Sequence, residues 1–250
     1  MMKRNWSRGV LGAVIATAAV VVLAPVPAHA QISRVSSSDH RQSIGVNLGG
    51  FFLKGADSRV NDDVLLADLD SLVFDVKDFN GGSFGGEWLV GIGEYLEAGV
   101  GAGYYQRTVP SVYRAVVNDN GFEIEQDLKL RVVPLTATVR FLPIGRGGVV
   151  EPYVGGGIGA FNWRYSEIGE FVDFEDGGTI FPARYVAKGT AVGPVILAGL
   201  RAPFGDVFDI GGEVRWQKAE GDTKRSESGL LADKIDLGGW NAGLTLHIRF

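Results

Sequence analysis

The chain has 250 residues, 46% of them hydrophobic and 37 of them glycine, with only nine prolines and no cysteine. That composition excludes collagen, disorder, disulfide scaffolds, Cys-based metal sites and thiol catalysis. The net charge of −5, and three histidines in all, argue against nucleic acid as a partner and against histidine-rich metal or catalytic sites.

Residues 1–30 read as a secretory signal. Lys3, Arg4 and Arg8 form a basic end, Gly9 to Val26 an apolar stretch, and Ala28-His29-Ala30 an A-x-A cleavage site. Cleavage leaves a chain that begins at Gln31, carries a net charge of −8 and opens with a polar arm over 31–41. No later stretch is long and apolar enough for a transmembrane helix. An exported chain of this kind is either soluble or crosses a membrane as a closed β-barrel.

Beyond the arm, helical periodicity is nearly absent and period-2 alternation recurs between turn residues. It predicts eight strands, at 42–53, 84–93, 96–109, 128–142, 150–164, 192–203, 207–218 and 235–250. The last is the clearest: Trp240, Ala242, Leu244, Leu246, Ile248 and Phe250 alternate with Asn241, Gly243, Thr245, His247 and Arg249. In the fourth, the apolar set passes from even numbers (Leu128, Leu130, Val132) to odd (Leu135, Val139, Phe141), which predicts a bulge at Pro134.

The connections alternate. Those near 94–95, 143–149 and 204–206 are short; those at 54–83, 110–127, 165–191 and 219–234 are long and polar. The fold class is therefore all-β: an eight-stranded antiparallel up-and-down transmembrane barrel over 42–250. About ten residues per strand at about 40° tilt span roughly 25 Å, the apolar height an outer membrane needs.

Which face meets lipid follows from the charges. The apolar face is aliphatic, with aromatics near strand ends: Tyr95, Phe141, Phe204, Phe208 and Phe250 toward the short turns, Tyr104, Trp163 and Trp216 toward the long loops. The other face is glycine with a few charges. Glu97, Arg107, Arg140, Glu151, Arg201, Glu213, Arg215 and Arg249 point inward as a lumen charge network. An Arg on the lipid side would cost about 2–4 kcal/mol at the midplane, which fixes the sense of alternation. No apolar stripe is read on the inward face.

Leu244-Thr245-Leu246-His247-Ile248-Arg249-Phe250 resembles the C-terminal assembly signal of bacterial outer-membrane proteins. Pro152 to Gly159 and Gly211 to Trp216 resemble strands of the small OmpA/OmpX-type barrels, the outer membrane protein beta-barrel domain family. The resemblance implies that Trp240, Leu244, Leu246, Ile248 and Phe250 form a signal read by the barrel assembly machinery. It also implies periplasmic chaperones in transit, a periplasmic N-terminus and extracellular long loops. No peptidoglycan-binding domain is expected after Phe250.

Some barrels of this kind modify lipid A, but the exported chain keeps only His40 and His247, both toward the periplasmic end, so no enzyme is expected. Gly155-Gly156-Gly157-Ile158-Gly159 lies inside a strand with no helix after it and reads as packing rather than phosphate binding. The first long loop carries Asp57, Asp62, Asp63, Asp68, Asp70, Asp75 and Asp78 around Val64, Leu65, Leu69, Leu72 and Val73. The third loop adds Glu167, Glu170, Asp173, Glu175 and Asp176. The set reads as solvated acidic loops; the alternative is divalent-cation binding that bridges lipopolysaccharide phosphates. The apolar residues of the first loop suit a short amphipathic helix, and folding over the barrel mouth is a further reading for them. The expectation is a non-enzymatic, monomeric outer-membrane protein of a Gram-negative cell envelope, without cofactor or metal, in contact with membrane lipid and lipopolysaccharide. Its long loops would meet other surfaces. A small porin-like channel, or a passage for hydrophobic solutes like the OmpW-type barrels, is the second reading; a soluble lipocalin-like binder is the third.

Overall fold

The computed structural model describes residues 41–118, 120–174 and 176–250. The signal read over 1–30, its cleavage residues Ala28 and Ala30, and nearly all of the 31–41 arm lie outside the described residues.

The strands are β1 (Gln42–Leu53), β2 (Gly81–Ile92), β3 (Leu96–Val117), β4 (Glu123–Phe141), β5 (Glu151–Asp173), β6 (Thr179–Phe204), β7 (Phe208–Gln217), β8 (Glu220–Asp222), β9 (Lys234–Asp236) and β10 (Gly239–Arg249). β1 to β7 and β10 close an antiparallel barrel in the order β1-β10-β7-β6-β5-β4-β3-β2, and β8 pairs with β9 as a separate ribbon. The eight predicted strands are thus the eight of the barrel. Gln42 and Phe250 exchange both backbone hydrogen bonds at the seam, at 3.2 and 2.9 Å.

At the short-turn end the outward side chains are apolar and exposed on every strand, among them Ile44, Leu48, Trp88, Val100, Leu135, Val139, Ile158, Ile196, Val214, Leu244 and Leu246. Tyr95, Phe141, Phe204, Phe208 and Phe250 are exposed at its lower rim. Trp240 lies opposite Trp216, and the Phe84 and Tyr104 rings meet at 5.5 Å, at its upper rim. Trp163, expected there, is buried: its ring packs against Gly189 and Gly221 in the interior.

No bulge occurs at Pro134. The register of β4 runs unbroken past it against β5, and Leu128, Leu130 and Val132 stay on the inward face that also carries Thr136, Thr138 and Arg140. The backbone does not change phase; the surroundings do. Toward the short turns the inside is polar and the outside apolar, and toward the long loops the two exchange. The one register shift of the β3–β4 pair falls between Val112 and Val117.

Two of the expected loops, 110–127 and 165–191, are mostly strand. β3 to β6 have 22, 19, 23 and 26 residues, against 12, 12, 10 and 11 for β1, β2, β7 and β10. Their hairpins turn at Gly121 and at Gly177-Gly178, whose φ of 82°, 65° and 88° suits glycine. The result is a four-stranded half-cylinder beyond the barrel. Its concave face is apolar, which corrects the expectation of no apolar stripe inside.

The two remaining connections fill that concavity. The expected amphipathic helix is α1 (Val64–Ser71), capped by Asp63, whose carboxylate accepts the Leu65 N–H at 2.9 Å. A second helix, α2 (Arg225–Ser228), is a single turn. Val64, Leu65, Leu72, Val76 and Phe79 from the first connection, and Leu230, Ile235 and Leu237 from the last, are buried against Val109, Leu128, Leu130, Val132 and Trp163. Burying one such side chain contributes about 1.5–3 kcal/mol, so the plug is held by its apolar side chains.

Candidate functional site

Alternation brings ionisable side chains from neighbouring strands into the narrow lumen, where they meet in two tiers. In the lower tier Arg201 of β6 binds Glu97 of β3 at 2.6 Å and Glu151 of β5 at 2.8 Å. Arg146, from the turn between β4 and β5, adds a contact to Glu97 at 3.1 Å, and Arg249 of β10 pairs with Asp209 of β7 at 2.8 Å.

The upper tier centres on Arg140 of β4, which is fully buried. Its guanidinium donates to Glu87 of β2 at 2.6 Å and to Glu213 of β7 at 2.8 Å, and lies 4.8 Å above the Tyr153 ring of β5. Arg215 binds Glu213 at 2.7 Å, and His247 of β10 contacts Glu87 at 2.8 Å. The glycines make room: a Cβ at Gly45 would overlap the His247 ring, and one at Gly199 the Tyr153 ring.

Of the charges read as inward, Glu97, Arg140, Glu151, Arg201, Glu213, Arg215 and Arg249 take part in these ion pairs. Arg107 is corrected out of the network. It stands above the ionic tiers, exposed, with its Nε donating to the Asp78 carbonyl at 2.9 Å. Four further partners were not read from the sequence: Glu87, Arg146, Asp209 and His247. Glu87 shares the odd-numbered face of Ser83, Gly85 and Leu89, and that alternation was the available signal.

Among the described residues, five guanidinium groups thus face five carboxylates in these tiers. Above the tiers lies a cavity of about 50 Å³ bordered by Asn47, Ser83, Thr136, Gln217 and Asn241. Above that sits the apolar plug. Ion pairs below and packed side chains above occupy the lumen in series. Trp240, Leu244, Leu246, Ile248 and Phe250, the residues that the resemblance implies as an assembly signal, all lie outside the lumen, exposed on the outward face of the last strand or just beyond it.

In the plug, the acidic loop is engaged rather than free. Asp63 holds Arg59 at 2.9 and 3.0 Å and accepts the Asp236 N–H. Asp75 and Asp78 form a capping box around a 3₁₀ turn at Val76–Phe79. Asp68 accepts the Tyr165 hydroxyl at 2.6 Å and lies beside Glu167. Among the described residues no cation pairs with these two buried carboxyls. Desolvation pushes Asp68 up to about 7 and, together with the Asp68 charge, pushes Glu167 up to about 9. Among the described residues no cluster has the ligands for a metal ion.

No protein-family model and no curated protein matches the chain. Among solved structures it is similar to the outer membrane protein OprG of Pseudomonas aeruginosa, at 10% identity over 84% of this chain and 97% of that one, with a TM-score of 0.46. Neisserial surface protein A matches at 13% over 84% and 96%, with a TM-score of 0.42. A major outer membrane protein of Thermus thermophilus matches at 14% over 84% and 100%, also with 0.42. At these identities and scores the likeness carries no functional argument.

Proposed function

We propose that the protein is a non-enzymatic, monomeric, integral outer-membrane barrel of the OmpA/OmpX kind, with a closed lumen and a capped half-cylinder presented outside the cell. The observation that carries this reading is the inversion of faces along β3 to β6. At one end an apolar band faces out around a sealed ionic interior; at the other, polar residues face out around an apolar core. Water around the first half would leave that band exposed on all eight strands, far more than a soluble monomer tolerates. In lipid the band is satisfied and the inward arginines avoid the bilayer. The half-cylinder is folded around a packed plug, so its surface, rather than loose loops, is what another molecule meets.

The test is to refold the chain from Gln31 into phosphatidylcholine vesicles and follow heat-modifiable gel migration, then record single-channel conductance in a planar bilayer. Heat-modifiable insertion with an electrically silent bilayer is expected. A folded protein that stays in solution without lipid or detergent would return the lipocalin-like reading. Reproducible salt-dependent openings would favour the channel and make Arg140, Arg201, Glu87 and Glu97 its selectivity residues.

A further inference from the structure

The outward face of β4, β5 and β6 changes character just above the apolar band. Counting up from the short turns, the first charged side chain on that face is Arg131 on β4, Arg164 on β5 and Lys188 on β6. The ladder sets them side by side, with Arg131 opposite Arg164 and Arg164 opposite Lys188. Directly opposed side chains have Cβ atoms about 4.5–5.5 Å apart, and like charges there repel. Among the described residues none of the three has an ion-pair or side-chain hydrogen-bond partner, and the Arg131 Nε is buried without one. Carboxylates on the same face come only further up, at Asp127, Glu125 and Glu170. Three adjacent, uncompensated cations call for an anion from outside the chain.

A second feature lies directly beneath. Small outward residues, Ala102, Ala137 and Ala160, leave a shallow hollow of about 560 Å³ walled by Leu135, Ile158 and Val192. It continues down the same strands into a hollow of about 610 Å³ over Ala98, Ala137 and Gly156. The strip is apolar along its length and open to the outside.

We propose that cations and strip together form one binding site for a phosphate-bearing lipid of the surrounding leaflet. Its phosphate would bridge Arg131, Arg164 and Lys188, and its acyl chains would lie in the hollow. Arginine suits this position because its planar fork grips phosphate oxygens in pairs while its stem follows the apolar surface. The proposal rests on the membrane-spanning reading, because only in a bilayer does the strip face acyl chains.

The experiment separates the two. Heat-modifiable insertion into plain phosphatidylcholine tests the membrane reading alone. Retention of bisphosphorylated lipid A, titrated in mixed micelles and read by native mass spectrometry, then tests the site. One lipid A per barrel is expected. The Arg131→Gln/Arg164→Gln/Lys188→Gln variant should bind about a hundredfold more weakly, each charge contributing about a fivefold factor. Ala137→Leu/Ala160→Leu, which fills the strip and spares the cations, should also weaken retention. Lys224→Gln/Arg225→Gln/Lys234→Gln, equal in net charge but placed on the plug, should bind as the parent does. Unchanged retention in the first variant, or equal loss in the plug variant, would overturn the site. Displacement of lipid A by inorganic phosphate would also overturn it, since a bare anion site would then suffice.

Discussion

Arg140→Ala removes the group that ties together the upper tier of the lumen. Arg140 is fully buried, binds Glu87 at 2.6 Å and Glu213 at 2.8 Å, and lies over Tyr153. Removing one partner of a buried pair costs about 3–5 kcal/mol, because the remaining charge stays desolvated and uncompensated. Two groups soften the loss here. Arg215 remains 2.7 Å from Glu213 and 3.5 Å from Glu87, and His247 remains 2.8 Å from Glu87. The expected destabilisation is therefore at the low end, about 3 kcal/mol. The assay is urea unfolding of the vesicle-inserted barrel, followed by heat-modifiable migration and by tryptophan fluorescence. The companion variant Arg140→Met/Glu213→Gln removes one charge of each sign and should recover at least half of the loss. A single variant within about 1 kcal/mol of the parent, or a double variant less stable than the single, would refute the argument that charge balance holds the tier.

The Asp68–Glu167 pair predicts a pH response confined to the plug. Burial raises both carboxyls in the folded cap, so stability is full below their ordinary values of 3.8 and 4.5 and falls as pH rises toward about 7 for Asp68 and about 9 for Glu167. Proteolysis of residues 54–80 in the inserted barrel should accelerate across that window and lose its pH dependence in Asp68→Asn/Glu167→Gln; a flat parental profile would remove the pair from the plug's stability. Leu246→Arg places a cation on the exposed apolar band and should cost about 2–4 kcal/mol in vesicle-inserted protein. A neutral effect would mean that this face does not meet lipid.

The barrel itself was legible because period 2 is local. One strand such as 239–249 shows it unaided, and pairing follows from chain order. What sequence reasoning missed depended on a change of surroundings along a strand. Leu128 to Val132 and Leu135 to Phe141 carry the same residue types on opposite faces, and a bulge was the simplest local account. The true cause is the border between apolar and polar surroundings, which no window of neighbouring residues reports. Trp163 was misplaced for the same reason: an aromatic near that border suits a rim or a core equally well. Arg107 follows the inward parity but stands above the ionic tiers, where its partner is a backbone carbonyl rather than a carboxylate. Glu87 was overlooked because the run Gly81 to Gly91 has few side chains to mark a face. Polar extensions such as Glu123 to Asp127 and Thr179 to Lys188 resemble loops, since their outward faces are charged.

The seam between β1 and β10 has a kinetic meaning. Every other neighbouring pair in the barrel joins barrel strands that follow one another along the chain, so each can form soon after its own connection. β1 and β10 instead join the two ends of the described chain, the contact with the greatest loop-closure entropy. A half-built cylinder therefore exposes two unpaired edges, at β1 and at its newest strand, until Gln42 meets Phe250. Those edges are open to pairing with another chain for that whole interval, and sealing the seam is what ends the hazard of misassembly.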